Sequence, residues 1–382
     1  MQADRSLRYN HDEEHPMSKE ATVYRTVSAH DFPPMLDPAR YGDRSSAFDK
    51  IISATNDHFW DPLDTRYIDF SAPFDIENEY IVQPKLTPEM NTGIVDRLTE
   101  KQKIHLNNRV QHHLLSTVLH GEQAALNMSA NLCHMLLDPG AQEYCANQCR
   151  EEARHVTAFT KYIAARFGAP APVTGVLRGL LVDVVTTNQV WKKIVGLQMM
   201  LEGFAMGLFA SYYQFGNDPL LVKMVQLAMT DEAFHHKFGK IWADKTIPHM
   251  APALRDEVED WLRDTFDLVL KNFSDPEAKQ HIYAEVGLKW QDVQSAMFEA
   301  FTDDFHRKQM QESTNIFRTV IKTLLKAGII TKRTAPYYAA FVDMKELHAE
   351  GESMVGDEIA EEGIKYLKSI NMFGKGAQLA AE

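Results

Sequence analysis

Glu151-Glu152-Ala153-Arg154-His155 and Asp231-Glu232-Ala233-Phe234-His235 are two copies of one pattern, an acidic pair followed by a histidine three residues after the second acid. Glu122 stands 30 residues before Glu152, and Glu202 stands 30 residues before Glu232. Glutamate and histidine at i and i+3 project from one face of a helix. Together these residues make four carboxylates and two imidazoles, the set that a four-helix bundle needs to hold two iron or manganese ions in its core. Carboxylates bridge two hard cations, with Glu152 and Glu232 the natural bridges, and imidazole nitrogen suits iron. Without metal, so many clustered carboxylates would have to take up protons.

The turns between the motifs test this reading. Glu202 lies 14 residues before Gly216, and Glu232 lies 13 after Pro219. At about 1.5 Å per residue both sit about 20 Å from the Gly216-Asn217-Asp218-Pro219 turn, opposite one another on antiparallel helices. The first half is less even, at about 26 Å for Glu122 and about 20 Å for Glu152 from Pro139, a difference that a slack turn absorbs.

Further out, the pattern is helical almost throughout, and the fold expected is all-α. A Pro- and Asp-rich arm and a wrapping segment fill 1–86, with helical spacing over Ser46 to Trp60. Thr87-Pro88-Glu89 reads as a helix start. The bundle is expected over 87–250, with long helices from Thr99 to Leu137, Ala141 to Phe167, Val173 through a break to Phe215, and Pro219 to about Lys245. Residues 251–382 are expected to pack further helices on it: Ala251 to Asn272, Pro276 to Phe301 and Phe305 to Leu325.

Of 382 residues, 45% are hydrophobic and 24% charged, enough for a large core. The net charge of −13 lacks the basic footprint of a nucleic-acid binder. No run of about 18 apolar residues is free of charge, so no membrane span is expected. The polar start lacks a secretory signal's apolar core, which makes the cytoplasm the expected location. Cys133, Cys145 and Cys149 are too few for a disulfide framework or an iron–sulfur cluster, and Cys145 and Cys149 read first as packed thiols. No motif for a flavin, and none for haem, is present. A redox reaction here needs an external electron donor, a ferredoxin or reductase or a small reductant.

On Glu122, Glu151 to His155, Glu202 and Asp231 to His235, the chain resembles the ferritin-like di-iron carboxylate superfamily. That group includes monooxygenase hydroxylases, desaturases, aryl-amine N-oxygenases and the ribonucleotide reductase small subunit. The resemblance implies a ferritin-like bundle whose two metal ions, Fe/Fe or Mn/Fe, activate O2. Glu151, Arg154 and Asp231 are expected to support the ligands, the acids by accepting a histidine's distal ring N–H, and His236 is a further neighbour.

Departures sort the members. Where the reductase subunit carries its radical tyrosine, this chain has Phe159, with Tyr162 the nearest phenol. Where the aryl-amine N-oxygenases add a third histidine, it has Ala228. After Glu202, Gly203-Phe204-Ala205-Met206-Gly207 lacks the hydroxyl of the monooxygenases and leaves space, so Phe159, Met199, Phe204 and Met206 are candidate linings of an apolar substrate pocket. The expectation is an oxygenase that hydroxylates or N-oxygenates a small aromatic or apolar molecule. A radical-generating subunit or a ferritin-like iron-handling protein is the alternative, and a homodimer is left open.

Overall fold

The computed structural model describes residues 26–302, 316–351, 353–354 and 356–379. The expected arm over 1–25 and helix over 305–315 lie outside the described residues. α1 (Glu100–Met135) starts at Thr99, whose hydroxyl accepts from Gln102 N–H while the Gln102 side chain accepts from Thr99 N–H, a reciprocal cap. α2 (Pro139–Phe167) starts at the Asp138 carboxylate with proline first, and stops at Gly168, whose φ of 85° is easiest for glycine. α3 (Gly175–Thr186) starts at Thr174. α4 (Val190–Phe215) winds as a π-helix over Lys193–Leu201. α5 (Pro219–Thr246) repeats the Asp-Pro start at Asp218. α6 (Pro252–Ser274), α7 (Trp290–Ala300), α8 (Ile316–Lys326) and α9 (Asp357–Leu379) follow.

α1 and α2 pair as one antiparallel hairpin and α4 and α5 as another, with α2 against α5 closing the four-helix bundle. α3 crosses between α1 and α6, α8 covers α4, and α9 covers α5. Among the described residues there is no β-sheet, only two isolated bridges that tie the wrapping segment to helix ends, Thr26 to Leu136 and Val82 to Gly216. The bundle interior divides into two apolar clusters. One holds Met128, Leu132, Tyr144, Ile194 and Phe238; the other holds Leu119, Phe159, Phe209 and Met224. Between them lies the level of the paired acid–histidine motifs.

Three expected helices differ. Thr87-Pro88-Glu89 opens only a 3-10 turn, Pro88–Asn91, before Gly93 breaks the chain again. Ser46 to Trp60 is helical only briefly, over Asp49–Ala54 after one 3-10 turn. The stretch from Pro276 to Phe301 is split by Gly287, at φ 78°, into Gln280–Glu285 and α7. α9 was not anticipated at all. By length and composition α4 is apolar enough to cross a membrane, and 89% of its most apolar window is buried within the protein.

Candidate metal centre

All six motif residues converge at one level of the bundle. Glu122 comes from α1, Glu152 and His155 from α2, Glu202 from α4, and Glu232 and His235 from α5, none more than 6% exposed. Both imidazoles turn Nδ1 inward. His155 Nδ1 lies 3.2 Å from Glu122 Oε2, 3.3 Å from Glu152 Oε2 and 3.2 Å from Glu232 Oε1. His235 Nδ1 lies 3.1 Å from Glu152 Oε1 and 3.1 Å from Glu232 Oε2. Glu152 and Glu232 therefore each offer one oxygen to each imidazole. Two donor sets, each spanning no more than 4.8 Å, share Glu152: one with Glu122, His155 and Glu232, the other with Glu202 and His235.

The electrostatics are those of a cluster awaiting cations. Burial pushes the Glu122 carboxyl up to about 8 and Glu202 well above the ordinary glutamate range. Burial pushes Glu152 up as well, but His235 and His155 overcome it and hold the group below that range. Burial pulls both histidines down, yet the carboxylates around them raise both well above the usual imidazole value. The buried Glu152 Oε2 has no hydrogen-bond partner. A proton-demanding cluster of hard oxygen donors with two inward nitrogens fits a pair of divalent transition-metal ions.

The outward nitrogens are held crosswise. His155 Nε2 lies 2.8 Å from Asp231 Oδ2, and His235 Nε2 lies 2.9 Å from Glu151 Oε2. The acid preceding each motif thus supports the other motif's histidine, a pairing the sequence does not reveal. Although burial pushes Asp231 up, Arg154 and His155 hold it well below the usual carboxylate range, so it accepts the ring N–H and leaves Nδ1 free for metal. Arg154 Nε donates to Asp231 at 2.9 Å.

Sequence reasoning missed four neighbours. Trp60 Nε1 donates to Asp231 Oδ2 at 2.9 Å, and His58 Nε2 sits between Glu151 Oε1 at 3.2 Å and Asp231 Oδ1 at 3.3 Å. Both come from the irregular wrapping segment, where no periodicity marks them. Gln148 Nε2 donates to Glu152 at 3.0 Å and to Glu202 at 3.1 Å, and Gln198 Nε2 donates to Glu202 at 2.5 Å. These two were legible, since each glutamine stands four residues before a motif glutamate. His236 faces away from the centre, with Nε2 3.1 Å from the Thr323 hydroxyl on α8.

A cleft runs between α1, α3, α4 and α6 and reaches Glu122, Glu202 and Glu232. Gly121, Ala125, Leu177, Leu201, Phe204 and Phe273 form much of its wall. Of the four residues expected to line a pocket, only Phe204 does. Phe159 stacks on Phe209 in the apolar cluster beyond the motif level, with ring centroids 5.6 Å apart. Met206 packs toward Gly356, ahead of α9, and Met199 packs beside Gly239 of α5. The π-winding over Lys193–Leu201, which includes Met199, departs from α-helical spacing before Glu202. Tyr162 is also remote in role, donating its hydroxyl to Asp218 at the start of α5.

The family described as P-aminobenzoate N-oxygenase AurF matches residues 42–327 of this chain. Among solved structures, an R2-like ligand-binding oxidase with aerobically reconstituted Mn/Fe cofactor is similar over 75% of this chain and 93% of its own, at 13% identity and a TM-score of 0.42. A point mutant of such an oxidase, also with that cofactor, is similar over 75% and 94%, at 13% identity and a TM-score of 0.41. No curated protein matches.

Proposed function

The chain belongs to the P-aminobenzoate N-oxygenase AurF family, and from that membership we propose how its oxygenase centre is built and what it acts on. It is a ferritin-like oxidoreductase of the di-iron or manganese–iron type. Glu122, Glu152, His155, Glu202, Glu232 and His235 would hold the two ions, with Glu152 and Glu232 the two carboxylates placed to serve both positions. The observation that carries this assignment is the pair of glutamates that each present an oxygen to both Nδ1 atoms. When bound, the metal pair supplies O2 activation and the redox equivalents.

The chain's own residues do the rest. Asp231 and Glu151 fix the ring protons on Nε2. Gln148 and Gln198 donate to Glu202, limiting how far that carboxylate swings. The apolar cleft excludes water and seats a small aromatic or apolar organic substrate for hydroxylation or N-oxygenation. Electrons come from an external donor, a ferredoxin or reductase or a small reductant. Phe159, at the position of the reductase subunit's radical tyrosine, and a cleft that reaches the carboxylates both favour this reading over a radical generator or an iron store.

Metal analysis of purified Glu152→Ala and Glu122→Ala tests the assignment. Glu152 belongs to both donor sets, so its loss is expected to empty both positions, whereas Glu122→Ala empties one. Two ions retained in Glu152→Ala would refute it.

A further inference from the structure

Taking the cleft as the substrate site of the proposed oxygenase, we infer that this chain's substrate is an uncharged, apolar molecule entering between α3 and α6. A carboxylated aromatic such as p-aminobenzoate is excluded from it. Among the described residues twenty line the cleft, and no lysine, arginine or histidine is among them. The polar side chains among these twenty are Thr117, Asn272 and the three glutamates. Thr117 donates to the His113 carbonyl and Asn272 Oδ1 accepts from the Thr174 hydroxyl, which leaves the Asn272 amide as the one uncommitted neutral donor among these side chains.

A buried carboxylate without a cationic or multiple hydrogen-bonding partner is strongly disfavoured. The cations nearest the mouth in sequence, Arg178 and Lys271, are exposed and do not line it. The rim is apolar as well. Val176 on α3 and Leu268 on α6 line the cleft while remaining 36% and 45% exposed. Gly121 leaves open space where a side chain would begin, and Ala205 keeps the α4 wall low. The cleft admits hydrocarbon along its whole length.

The test uses metal-loaded full-length protein and isothermal titration calorimetry with p-toluidine and p-aminobenzoate, which differ only in methyl against carboxylate. p-Toluidine is expected to bind and p-aminobenzoate to bind at least about tenfold more weakly. Ala205→Phe is expected to abolish p-toluidine binding, which locates it in the cleft. Val176→Arg, at an exposed rim position that tolerates charge, is expected to narrow the gap by strengthening p-aminobenzoate binding. Equal or tighter binding of p-aminobenzoate by the wild type would overturn the inference, as would p-toluidine binding unaffected by Ala205→Phe. Metal content of the same sample separates the two levels. Two bound ions with neither amine binding sinks the inference and leaves the di-metal centre standing, whereas absence of metal sinks both.

Discussion

Asp231→Asn separates the two tasks of a buried carboxylate that accepts four hydrogen bonds. Asp231 is fully buried and accepts from His155 Nε2 at 2.8 Å, Trp60 Nε1 at 2.9 Å and Arg154 Nε at 2.9 Å, with Arg154 Nη2 on its other oxygen. An asparagine keeps the shape but replaces one acceptor oxygen with an amide donor, so an N–H of Arg154 or His155 faces another N–H. Loss of a group that orients a metal-bound histidine costs about 10–100-fold in metal affinity. That factor is expected in the donor set containing His155, with the His235 set changed less because Glu151 remains. Leaving Arg154 buried without its ion pair costs about 3–5 kcal/mol of stability. Glu151 Oε1, 3.6 Å from Arg154 Nη2, recovers a part. Stepwise metal titration with mass-spectrometric counting reads the first effect, and urea unfolding of the apoprotein reads the second. The double variant Arg154→Met/Asp231→Asn should regain stability without regaining metal affinity. If Asp231→Asn binds both ions like the wild type, the crosswise support of the histidines has no role and the reasoning fails.

Two further outcomes test the scaffold. Glu89 is fully buried with Lys279 and the Tyr283 hydroxyl on its Oε1, and although burial pushes it up, Lys279 holds its carboxyl below the usual range. The stability from that pair is present above the unfolded glutamate value of about 4.3 and is lost as pH falls through the lower folded value. Lys279→Met is expected to lose about 3–5 kcal/mol at pH 7 and to show a shallower acid decline than the wild type in urea midpoints from pH 7 to 3; parallel declines would count against it. At Gly140, a Cβ would stand 2.6 Å from the Ser45 carbonyl oxygen. Gly140→Ala should therefore lower the thermal midpoint through an overpacking cost of about 1–3 kcal/mol, despite better helix propensity. An unchanged or raised midpoint would show that the wrapping segment is not seated there.

What the sequence made legible follows from where periodicity operates. The Asp-Pro starts at Asp138 and Asp218 and the stop at Gly168 act within a few residues, so α2 and α5 could be bounded from local chemistry. The six motif residues were legible because helix spacing converts sequence distance into a shared face. His58 and Trp60 were not, because they approach along an irregular segment whose path is set by tertiary contacts. Which side chains line the cleft was not legible for a similar reason. The π-winding over Lys193–Leu201 departs from 3.6-residue spacing, and Met206 packs toward Gly356 from a distant part of the chain.

The crosswise arrangement has a consequence for how the centre forms. Within either hairpin alone, an acid–histidine motif lacks the carboxylate that fixes its histidine, because Asp231 serves His155 and Glu151 serves His235. Each donor set also draws on both hairpins, the first needing Glu232 beside Glu122, Glu152 and His155, the second needing Glu152 beside Glu202 and His235. His58 and Trp60 then close over the two supporting acids from the wrapping segment. Both hairpins must dock before either metal position has its donors, and the wrapping segment must follow before the supporting acids have theirs. Metal binding is consequently linked to the pairing of α2 with α5 as well as to each hairpin's own folding, and a cation bound there adds its binding free energy to those contacts. In the apoprotein burial works the other way, pushing the Glu122 and Glu202 carboxyls above the ordinary glutamate range.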